Sequence, residues 1–467
     1  MEISRKSVIK LKKSLTVNPP YLNQLIGGLY ALIGLYKCVP IVHGSQGCAN
    51  YSKHIIVEHF KEPVDIATTG LTENSIVCGE SIANIDKAIK NVEITKKPEI
   101  IGICTTGLSE TIGEDLQNIL LKKYPNKFII PINTPSFEGS HINGYNRAIY
   151  SILYNVLIRS ENIQNNNSSN SNKSNKSSNS NKSNKSNNNN GDNNKINIIP
   201  GMINPGDLKE LIYIFNELNI NYNLLTDIRT MDVPLRLPKK EYPNSEATLD
   251  NIKNSIYSKY TLCFGMEGIK GGTYLQKRYG VKLINIKFPI GIKNTDNFIL
   301  KLLETKLESK SKKTLSLKDI SENLLNNRGH ALNAMANTYD KIKNKSVAIY
   351  GAPDIVIGLT ELAKEIGLNI KAVMSNTKTK YFEKEIKHID KNITIINGDL
   401  YDFEKSIKNK SVNFIIGDYR AKYVGNSLNI PIIKVGFPVI DVFGHTKKTL
   451  LGYKGTENLV YEIANLL

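Results

Sequence analysis

The run Pro40-Ile41-Val42-His43-Gly44-Ser45-Gln46-Gly47-Cys48 connects an apolar stretch to a helical one through a glycine-rich turn. Residues 31–42 are mostly apolar and predict a helix that leads into a buried strand, and residues 49–60 predict a second helix. A strand that passes through a short turn into a helix is the repeating unit of parallel α/β sheets. The run therefore predicts an α/β fold, with Cys48 at the carboxyl end of a strand and at the N-terminus of a helix.

The same alternation of strands and helices recurs in three blocks along the 467 residues. The first block has predicted strands at 99–104 and 127–132, separated by a helix at 109–123. Further strands are predicted in the second block at 196–199, 222–225, 260–264 and 282–286, and in the third at 346–350, 369–374, 393–396, 413–416 and 430–435. We therefore expect three doubly wound, Rossmann-like domains with parallel sheets. Their predicted bounds are residues 1–163, 196–315 and 316–467, the last opening with a linking helix at 317–343.

Residues 164–195 form a tract of Asn, Ser and Lys repeats that separates the first two blocks. The tract has no apolar residue to bury, so folding could not offset the conformational entropy that ordering it would cost. We predict that it is a disordered insert between the first and second domains.

Composition limits the class of protein. The formal net charge is +18, yet the 61 basic residues are spread along the chain among 43 acidic ones, and no RNP-type motif or zinc finger accompanies them. No apolar run approaches the ~18 residues of a membrane-spanning helix, and residues 1–6 lead into no apolar signal core. We expect a cytoplasmic protein that binds neither nucleic acid nor membranes.

The cysteine pattern points to one metal ligand. The five cysteines contain no CxxC pair, which argues against a disulfide framework or a zinc site; they are Cys38, Cys48, Cys78, Cys104 and Cys263. We expect four of them to be small buried apolar residues. Cys48 differs because a helix N-terminus favours an anionic ligand, which suits an iron–sulfur cluster. Since a cluster needs about four such ligands, the others must come from a partner chain.

Other motifs predict no catalytic side chain. The glycine-rich run 265–272 lacks both the P-loop spacing and the G-x-G-x-x-G pattern, so a tight turn between domains is expected there rather than a nucleotide site. Asp354 follows a strand and is predicted to be a helix N-cap. His43 could donate to a cluster sulfur or bind backbone carbonyls, and we favour the second role. No histidine lies in a local nucleophile signature.

Several motifs, in order, resemble the nitrogenase component 1 family and more narrowly its β-type branch, which includes the molybdenum–iron protein β subunit and the cofactor-biosynthesis protein NifN. The motifs are HGSQGC at 43–48, HFKEP at 59–63, LTE at 71–73, CTTGLSETIGED at 104–115, NTPSFEGSH at 133–141, NRGHALNAM at 327–335 and GFPV at 436–439 with Asp441. The resemblance covers nearly the whole chain apart from the insert. It implies three α/β domains and clusters shared between subunits.

The resemblance also allows the cluster ligands to be compared. A β subunit with an eight-iron P-cluster is expected to supply three cysteines: one shortly after an N-terminal Asn-Pro, one in the Gly-Ser-Gln-Gly-Cys turn, and one after the Thr-Thr at a strand end. Here Asn23 occupies the first position and Gly107 the third, so only Cys48 is left. An amide and a glycine offer no soft anionic ligand. This pattern resembles NifN, in which a smaller [4Fe–4S] cluster is shared with NifE.

The resemblance to NifN implies a scaffold rather than a catalyst. Such a chain would pair with a NifE-like subunit in an α2β2 heterotetramer and share the [4Fe–4S] cluster through Cys48. The complex would transiently hold an iron–molybdenum cofactor precursor donated by NifB, and would mature it with molybdenum and homocitrate with the help of the nitrogenase iron protein. Two alternatives stay open: a catalytic β-type subunit of nitrogenase or of a related tetrapyrrole reductase, and a binding module without a cluster.

Overall fold

The structure is a computed structural model that describes residues 8–9, 16–57, 65–174, 195–232, 234, 241–307 and 320–467. Every strand pairing in it is parallel, and the strands form three sheets of four, four and six strands. The predicted α/β fold with three parallel sheets is thus confirmed. No helix within these ranges is both long and apolar enough to cross a membrane.

The first sheet has the strand order β3-β2-β4-β5. Its strands are β2 (Cys38–His43), β3 (Ala67–Thr68), β4 (Ile100–Thr105) and β5 (Phe128–Ile132); strand β1 (Val8–Ile9) belongs to the third sheet. The accompanying helices are α1 (Gln24–Ile33), α2 (Gln46–Val57), α3 (Glu73–Val77), α4 (Ser81–Lys96), α5 (Gly107–Glu110), α6 (Leu116–Lys123) and α7 (His141–Ser174). Alternate residues along β2, such as Val39 and Val42, belong to separate apolar clusters, so both faces of the sheet are covered.

The second sheet has the order β7-β6-β8-β9. Its strands are β6 (Ile196–Ile199), β7 (Tyr222–Leu224), β8 (Tyr260–Phe264) and β9 (Lys282–Ile286), with helices α8 (Pro205–Glu217), α9 (Leu249–Asn254), α10 (Ile269–Tyr279) and α11 (Ile292–Leu307). Helix α10 begins four residues before the predicted helix at 273, because Gly271 and Gly272 are helical. A side chain at Gly271 would lie 2.5 Å from Ile149 of α7, so the glycine permits close packing of these two helices.

The third sheet has the order β1-β12-β11-β10-β13-β14. Its strands after β1 are β10 (Ser346–Gly351), β11 (Asn369–Ser375), β12 (Ile395–Ile396), β13 (Phe414–Gly417) and β14 (Ile432–Lys434). The helices are α12 (Glu322–Ile342), α13 (Pro353–Glu365), α14 (Lys380–Ile389), α15 (Leu400–Ile407), α16 (Ala421–Leu428) and α17 (Gly452–Leu466). The N-terminal segment lies against this sheet: β1 pairs with β12, and the Leu400 N–H donates to the Asn18 carbonyl at 3.3 Å.

Two predicted bounds differ from the structure. The single helix predicted at 109–123 is two helices, because Gly113 has a positive φ of 75° and Asp115 caps the N-terminus of α6. Helix α7 continues through Ser174, past the predicted start of the insert at Gln164. The part of the predicted insert between 175 and 194 lies outside the described residues.

Candidate functional site

The loops that follow β2, β4 and β5 meet at the carboxyl edge of the first sheet. In the strand register His43 is opposite Thr105 and Cys104 is opposite Ile132, so the three strands end side by side. The loop after β2 carries Cys48, the loop after β4 carries Gly107, and the loop after β5 carries Ser136. Ligands of open α/β sheets bind at this edge.

Cys48 is the third residue of α2 and is half-buried. Ser45 holds the turn, since its hydroxyl oxygen lies 3.4 Å from the Cys48 amide nitrogen and 3.5 Å from the Cys48 sulfur. One turn later the Ser52 hydroxyl donates to the Cys48 carbonyl at 2.8 Å. The backbone around the thiol is therefore fixed, and the residue itself is only partly covered, as a ligand to a shared metal group requires.

His43 plays neither of the two roles predicted for it. The ring is fully buried, its Nδ1 lies 3.1 Å from the Thr69 hydroxyl, and its Nε2 lies 3.1 Å from the Ser81 hydroxyl. The Gly44 N–H donates to the Thr69 oxygen, and Ser81 donates to Glu114 at 2.6 Å. Because the Ser81 proton goes to Glu114, the neutral ring donates from Nε2 to Ser81, and Nδ1 accepts from the Thr69 hydroxyl. Burial lowers the pKa of His43 to about 4, which fits a neutral ring.

This hydrogen-bonded chain connects the surface of the first domain to the Cys48 turn. It runs from Glu114 through Ser81, His43 and Thr69 to the amide of Gly44, the residue before Ser45. Sequence reasoning missed it because its members come from four separate segments. Its effect is to fix the turn in one orientation, so His43 is a positioning residue.

The structure places Asn23 and Gly107 against the same loop after β5. Gln24, next to Asn23, donates to the Glu138 carbonyl at 2.8 Å, while a Cβ at Gly107 would lie 2.3 Å from the Ser136 hydroxyl. Asn23 begins α1 without a side-chain capping bond, and its Oδ1 is buried with no partner among the described residues. The β4 loop also touches the Cys48 turn, since Ser109 donates to the His43 carbonyl at 2.8 Å. The three positions compared in the sequence analysis thus share one edge of the domain.

The other cysteines are not candidate ligands. Cys38, Cys104 and Cys263 are buried, as predicted, and burial raises the pKa of each thiol, that of Cys263 to about 12. Cys78 is exposed, so the prediction that it is buried is wrong: it ends the five-residue helix α3, before Gly79 in a left-handed conformation. In the described ranges, no three His, Cys, Asp or Glu side chains are grouped to hold a metal ion.

These donors fit one corner of an iron–sulfur cluster and no more. Cys48 offers a single half-buried sulfur, and the neighbouring positions Asn23 and Gly107 supply no thiolate. A [4Fe–4S] cluster requires about four such ligands. The residues therefore fit a cluster completed by another chain, and they do not fit a cluster held by this chain alone.

An exposed apolar rim lies on the segments that form this edge. Tyr21, Tyr51, Leu108 and Phe137 are 42%, 50%, 38% and 71% exposed, and they come from the segments that carry Asn23, Cys48, Gly107 and Ser136. Aromatic side chains exposed together around a functional group are typical of a protein–protein interface. Sequence reasoning missed the rim, although Phe137 stands out as an aromatic residue in a polar loop.

The glycine-rich turn at 265–268 connects β8 to α10 in the second domain and contacts Asp354 of the third domain, in line with the turn predicted there. The prediction that Asp354 is the N-cap of α13 is wrong, because Ala352 occupies that position. The Asp354 carboxylate instead accepts the Met266 N–H at 3.0 Å. Burial raises the pKa of Asp354 to about 7. Gly265, with φ of 56°, has no room for a side chain, because a Cβ would overlap the Asp354 carboxylate. The sequence identified the turn and not its partner, since the two are 88 residues apart.

Comparison with known proteins identifies the family. Residues 23–467 match the family described as "Nitrogenase component 1 type Oxidoreductase". The chain is 31% identical to the nitrogenase molybdenum-iron protein beta chain of Clostridium pasteurianum, over 100% of this chain and 96% of that one. It is 32% identical to the vanadium-iron protein beta chain of Trichormus variabilis, over 99% and 96%.

A solved structure gives the same result. The structure titled "Nitrogenase Cp1 at pH 6.5" matches with a TM-score of 0.84 and 31% identity, over 98% of this chain and 94% of that one. The likeness therefore extends over nearly the whole chain. The chain belongs to the nitrogenase component 1 family, and the two relatives named above are beta chains.

Proposed function

We propose that this chain is the β-type subunit of a scaffold on which the nitrogenase iron–molybdenum cofactor is assembled, as in NifN. The observation that carries the proposal is the pair Asn23 and Gly107, which occupy the two positions where the resemblance implies thiolates in a catalytic β subunit. Cys48 alone would ligate a [4Fe–4S] cluster, and a NifE-like subunit would supply the remaining ligands.

The surroundings of Cys48 support a cluster shared at an interface. Its sulfur is half-buried, its turn is fixed by Ser45 and by the chain through His43, and the apolar rim surrounds it. A rim that includes Phe137 at 71% exposure offers apolar area for a partner to bury. An interface of this kind would exclude water from the cluster, and two such pairs would form an α2β2 heterotetramer.

The proposed scaffold acts by holding its cargo rather than by reacting with it. The iron–sulfur precursor would come from NifB, would be held mainly on the NifE-like side, and would receive molybdenum and homocitrate with the help of the nitrogenase iron protein. The described part of this chain fits that division of labour, since it presents no grouped metal ligands of its own.

A catalytic role is the second candidate, and a specific observation favours it. The named relatives at about 30% identity are nitrogenase molybdenum-iron, vanadium-iron and iron-iron protein beta chains. If this chain acted as they are named, its complex would itself reduce substrate. A subunit of a related tetrapyrrole reductase belongs to the same enzyme class.

Activity assays on the purified complex separate the two candidates. The full-length chain, copurified with its partner and mixed with the nitrogenase iron protein under turnover conditions, should reduce neither dinitrogen nor acetylene. After incubation with precursor, molybdate and homocitrate, the same complex should activate a cofactor-free component 1. Direct acetylene reduction by the complex, without transfer to a second protein, would favour the catalytic β subunit.

A further inference from the structure

A second site of interest lies at the carboxyl end of β10 in the third sheet. From β10 the chain proceeds to β11 and β12 on one side and then crosses to β13 and β14 on the other. The strand order therefore reverses between β10 and β13. In doubly wound sheets such a reversal opens a crevice between the loops, where ligands bind. This crevice is far in sequence from Cys48 and does not depend on the cluster.

Three buried nitrogen atoms here have no hydrogen-bond partner within the described part of the chain. They are Arg420 Nη1, Asn376 Nδ2 and His141 Nδ1, on side chains that are 7%, 2% and 1% exposed. A buried polar atom without a partner costs about 1–3 kcal/mol, and more for a charged group. Arg420 Nη1 and Asn376 Nδ2 can only donate, and His141 Nδ1 donates in the tautomer that carries its proton there. The buried Asp418 Oδ2 nearby also has no partner, so the two donors still lack an acceptor among the described residues.

Contacts on the backbone bring these three residues to the end of β10. The Asn376 N–H donates to the carbonyl of Gly351, the last residue of β10, at 2.8 Å. Arg420 follows β13, which pairs with β10 on its other side. Ser140, next to His141, lies 2.7 Å from the Thr377 hydroxyl, so the first domain closes over the crevice. Burial and the nearby Arg420 charge together lower the pKa of His141 to about 3.

Charged groups of both signs lie around the crevice. The guanidinium of Arg420 carries the positive charge, and the 13-residue helix α13 begins just after Gly351 with its positive end toward the crevice. Two acids lie near. One Asp418 oxygen accepts the Arg420 backbone N–H at 2.8 Å, burial raises the pKa of Asp418 to about 7, and Asp354 is turned toward Met266. Burial favours the protonated form of Asp418 while the Arg420 charge opposes it, so an anion in the crevice would supply Arg420 with a counter-charge wherever Asp418 is neutral.

We propose that this crevice binds a small oxyanion, held by Arg420, Asn376 and His141 at the topological switch point of the third domain. Carboxylate and tetrahedral oxyanions share the chemistry that these donors recognise. The neighbouring side chains Tyr419 and Phe437 are only half-buried, so a ligand would enter past them. Ordered water is the competing occupant, since water also satisfies buried donors.

Calorimetric titration of the full-length chain, copurified with its partner, tests the proposal. The probes are sodium malonate and sodium sulfate, with malonamide as a neutral analogue and sodium chloride at equal ionic strength. We expect saturable binding of malonate or sulfate, one per copy of this chain, and no binding of malonamide or chloride. The anion that saturates first identifies the carboxylate or the tetrahedral class.

Variants assign the binding to these residues. Arg420→Gln and Asn376→Asp should each weaken binding at least tenfold, whereas Arg278→Gln, at an exposed arginine on α10, should leave it unchanged. Binding of neither anion by the wild-type complex, or equal binding by both crevice variants, would overturn the proposal in favour of water. If Arg420→Gln fails to fold, the wild-type titration and Asn376→Asp still decide.

Discussion

Among single residues, Cys48 is the one on which the proposed function depends. Of the five cysteines only Cys48 is half-buried, and only Cys48 has a turn built around it by Ser45 and Ser52. The Ser45 hydroxyl contacts the sulfur at 3.5 Å, but the hydrogen bonds of the Cys48 N–H and carbonyl do not depend on the sulfur. The thiol is therefore expected to matter for metal binding and very little for folding.

Replacing Cys48 tests this expectation. Cys48→Ala should remove the shared cluster from the complex, with loss of its iron and of its visible absorption, because the other thiol at that edge, Cys104, is buried. The chain should stay folded, at a cost of about 1 kcal/mol, and should still bind its partner through apolar area. Cys78→Ala, at an exposed thiol, is the matched control and should keep all iron. Unchanged iron in Cys48→Ala would show that the thiol is not a ligand.

Thiolates can be introduced by mutation at the two positions that lack them. Asn23→Cys removes no capping hydrogen bond, but a Cβ at Gly107 requires the Ser136 hydroxyl to move, so Gly107→Cys is best combined with Ser136→Ala. We expect the triple variant to bind more iron, or a more heterogeneous cluster, without gaining dinitrogen reduction, since the partner must also supply its half. The control is Asn23→Ser with Gly107→Ala and Ser136→Ala.

Protection of the new thiols from alkylation shows whether they ligate iron. If the new thiols at 23 and 107 ligate iron, they should react with iodoacetamide more slowly in the cluster-loaded complex than in the cluster-free one. Equal reaction rates would mean that these positions do not face the cluster, and the main ground for choosing a scaffold over a catalytic subunit would be lost.

His43 predicts a dependence of stability on pH. Its pKa is about 4 in the folded chain and about 6.5 when unfolded, so the unfolded state takes up a proton first as pH falls. Stability from this group is complete above pH 6.5 and declines by about 3 kcal/mol as pH falls toward 4. In a Cys48→Ala background, His43→Gln should flatten urea-unfolding stability over that range. His388→Gln, at an exposed histidine, should not change the dependence of stability on pH. If His43→Gln leaves that dependence unaltered, the ring of His43 is not buried in its neutral form.

Sequence reasoning located the Cys48 turn correctly and missed the partners of His43 for a physical reason. The position of Cys48 follows from local pattern, a strand followed by a glycine-rich turn and a helix. The partners of His43 are Thr69 and Ser81, which come from later segments and meet the ring only once the sheet has formed. Local pattern also cannot show that Ser136 fills the space beside Gly107.

At the scale of the element, strands were predicted more accurately than helix ends. The strands β6, β8 and β9 have the predicted bounds, because parallel strands are short runs rich in apolar residues between polar turns. The helix at 109–123 was predicted as continuous despite Gly113 and Asp115, which together end one helix and start the next. Gly271 and Gly272 were taken as turn residues, whereas tertiary packing holds them inside α10.

The Asn/Ser/Lys tract yields a prediction for an element. Deleting residues 165–194 and joining the flanks with a short Gly/Ser linker should change the melting temperature by less than about 2 °C and should leave cofactor maturation intact, since the tract has no apolar residue to bury. The cut spares Glu161, which pairs with Arg278 at 2.8 Å and accepts from Tyr279. A matched control replaces 165–194 with a Gly/Ser linker of equal length. A fall of several degrees in both would show that the tract has a structural role.

At the scale of the whole molecule, the domains are joined by contacts that no local pattern predicts. The N-terminal segment lies on the third sheet, the Met266 amide binds Asp354, and Ser140 meets Thr377 across the crevice. One apolar cluster includes buried residues from all three domains. Three blocks of α/β pattern predicted three sheets correctly, but the relative placement of those sheets depends on pairs of residues far apart in the chain.

If this chain shares a four-iron cluster through a single thiolate, the iron content of the complex must show it. Iron and acid-labile sulfide should be counted on the full-length chain copurified with its partner and free of cofactor precursor, with Mössbauer spectra to identify the cluster. We expect about four iron and four sulfide per pair of chains, in a [4Fe–4S] cluster that Cys48→Ala removes. An eight-iron cluster in the same preparation would contradict it and would identify a catalytic β subunit.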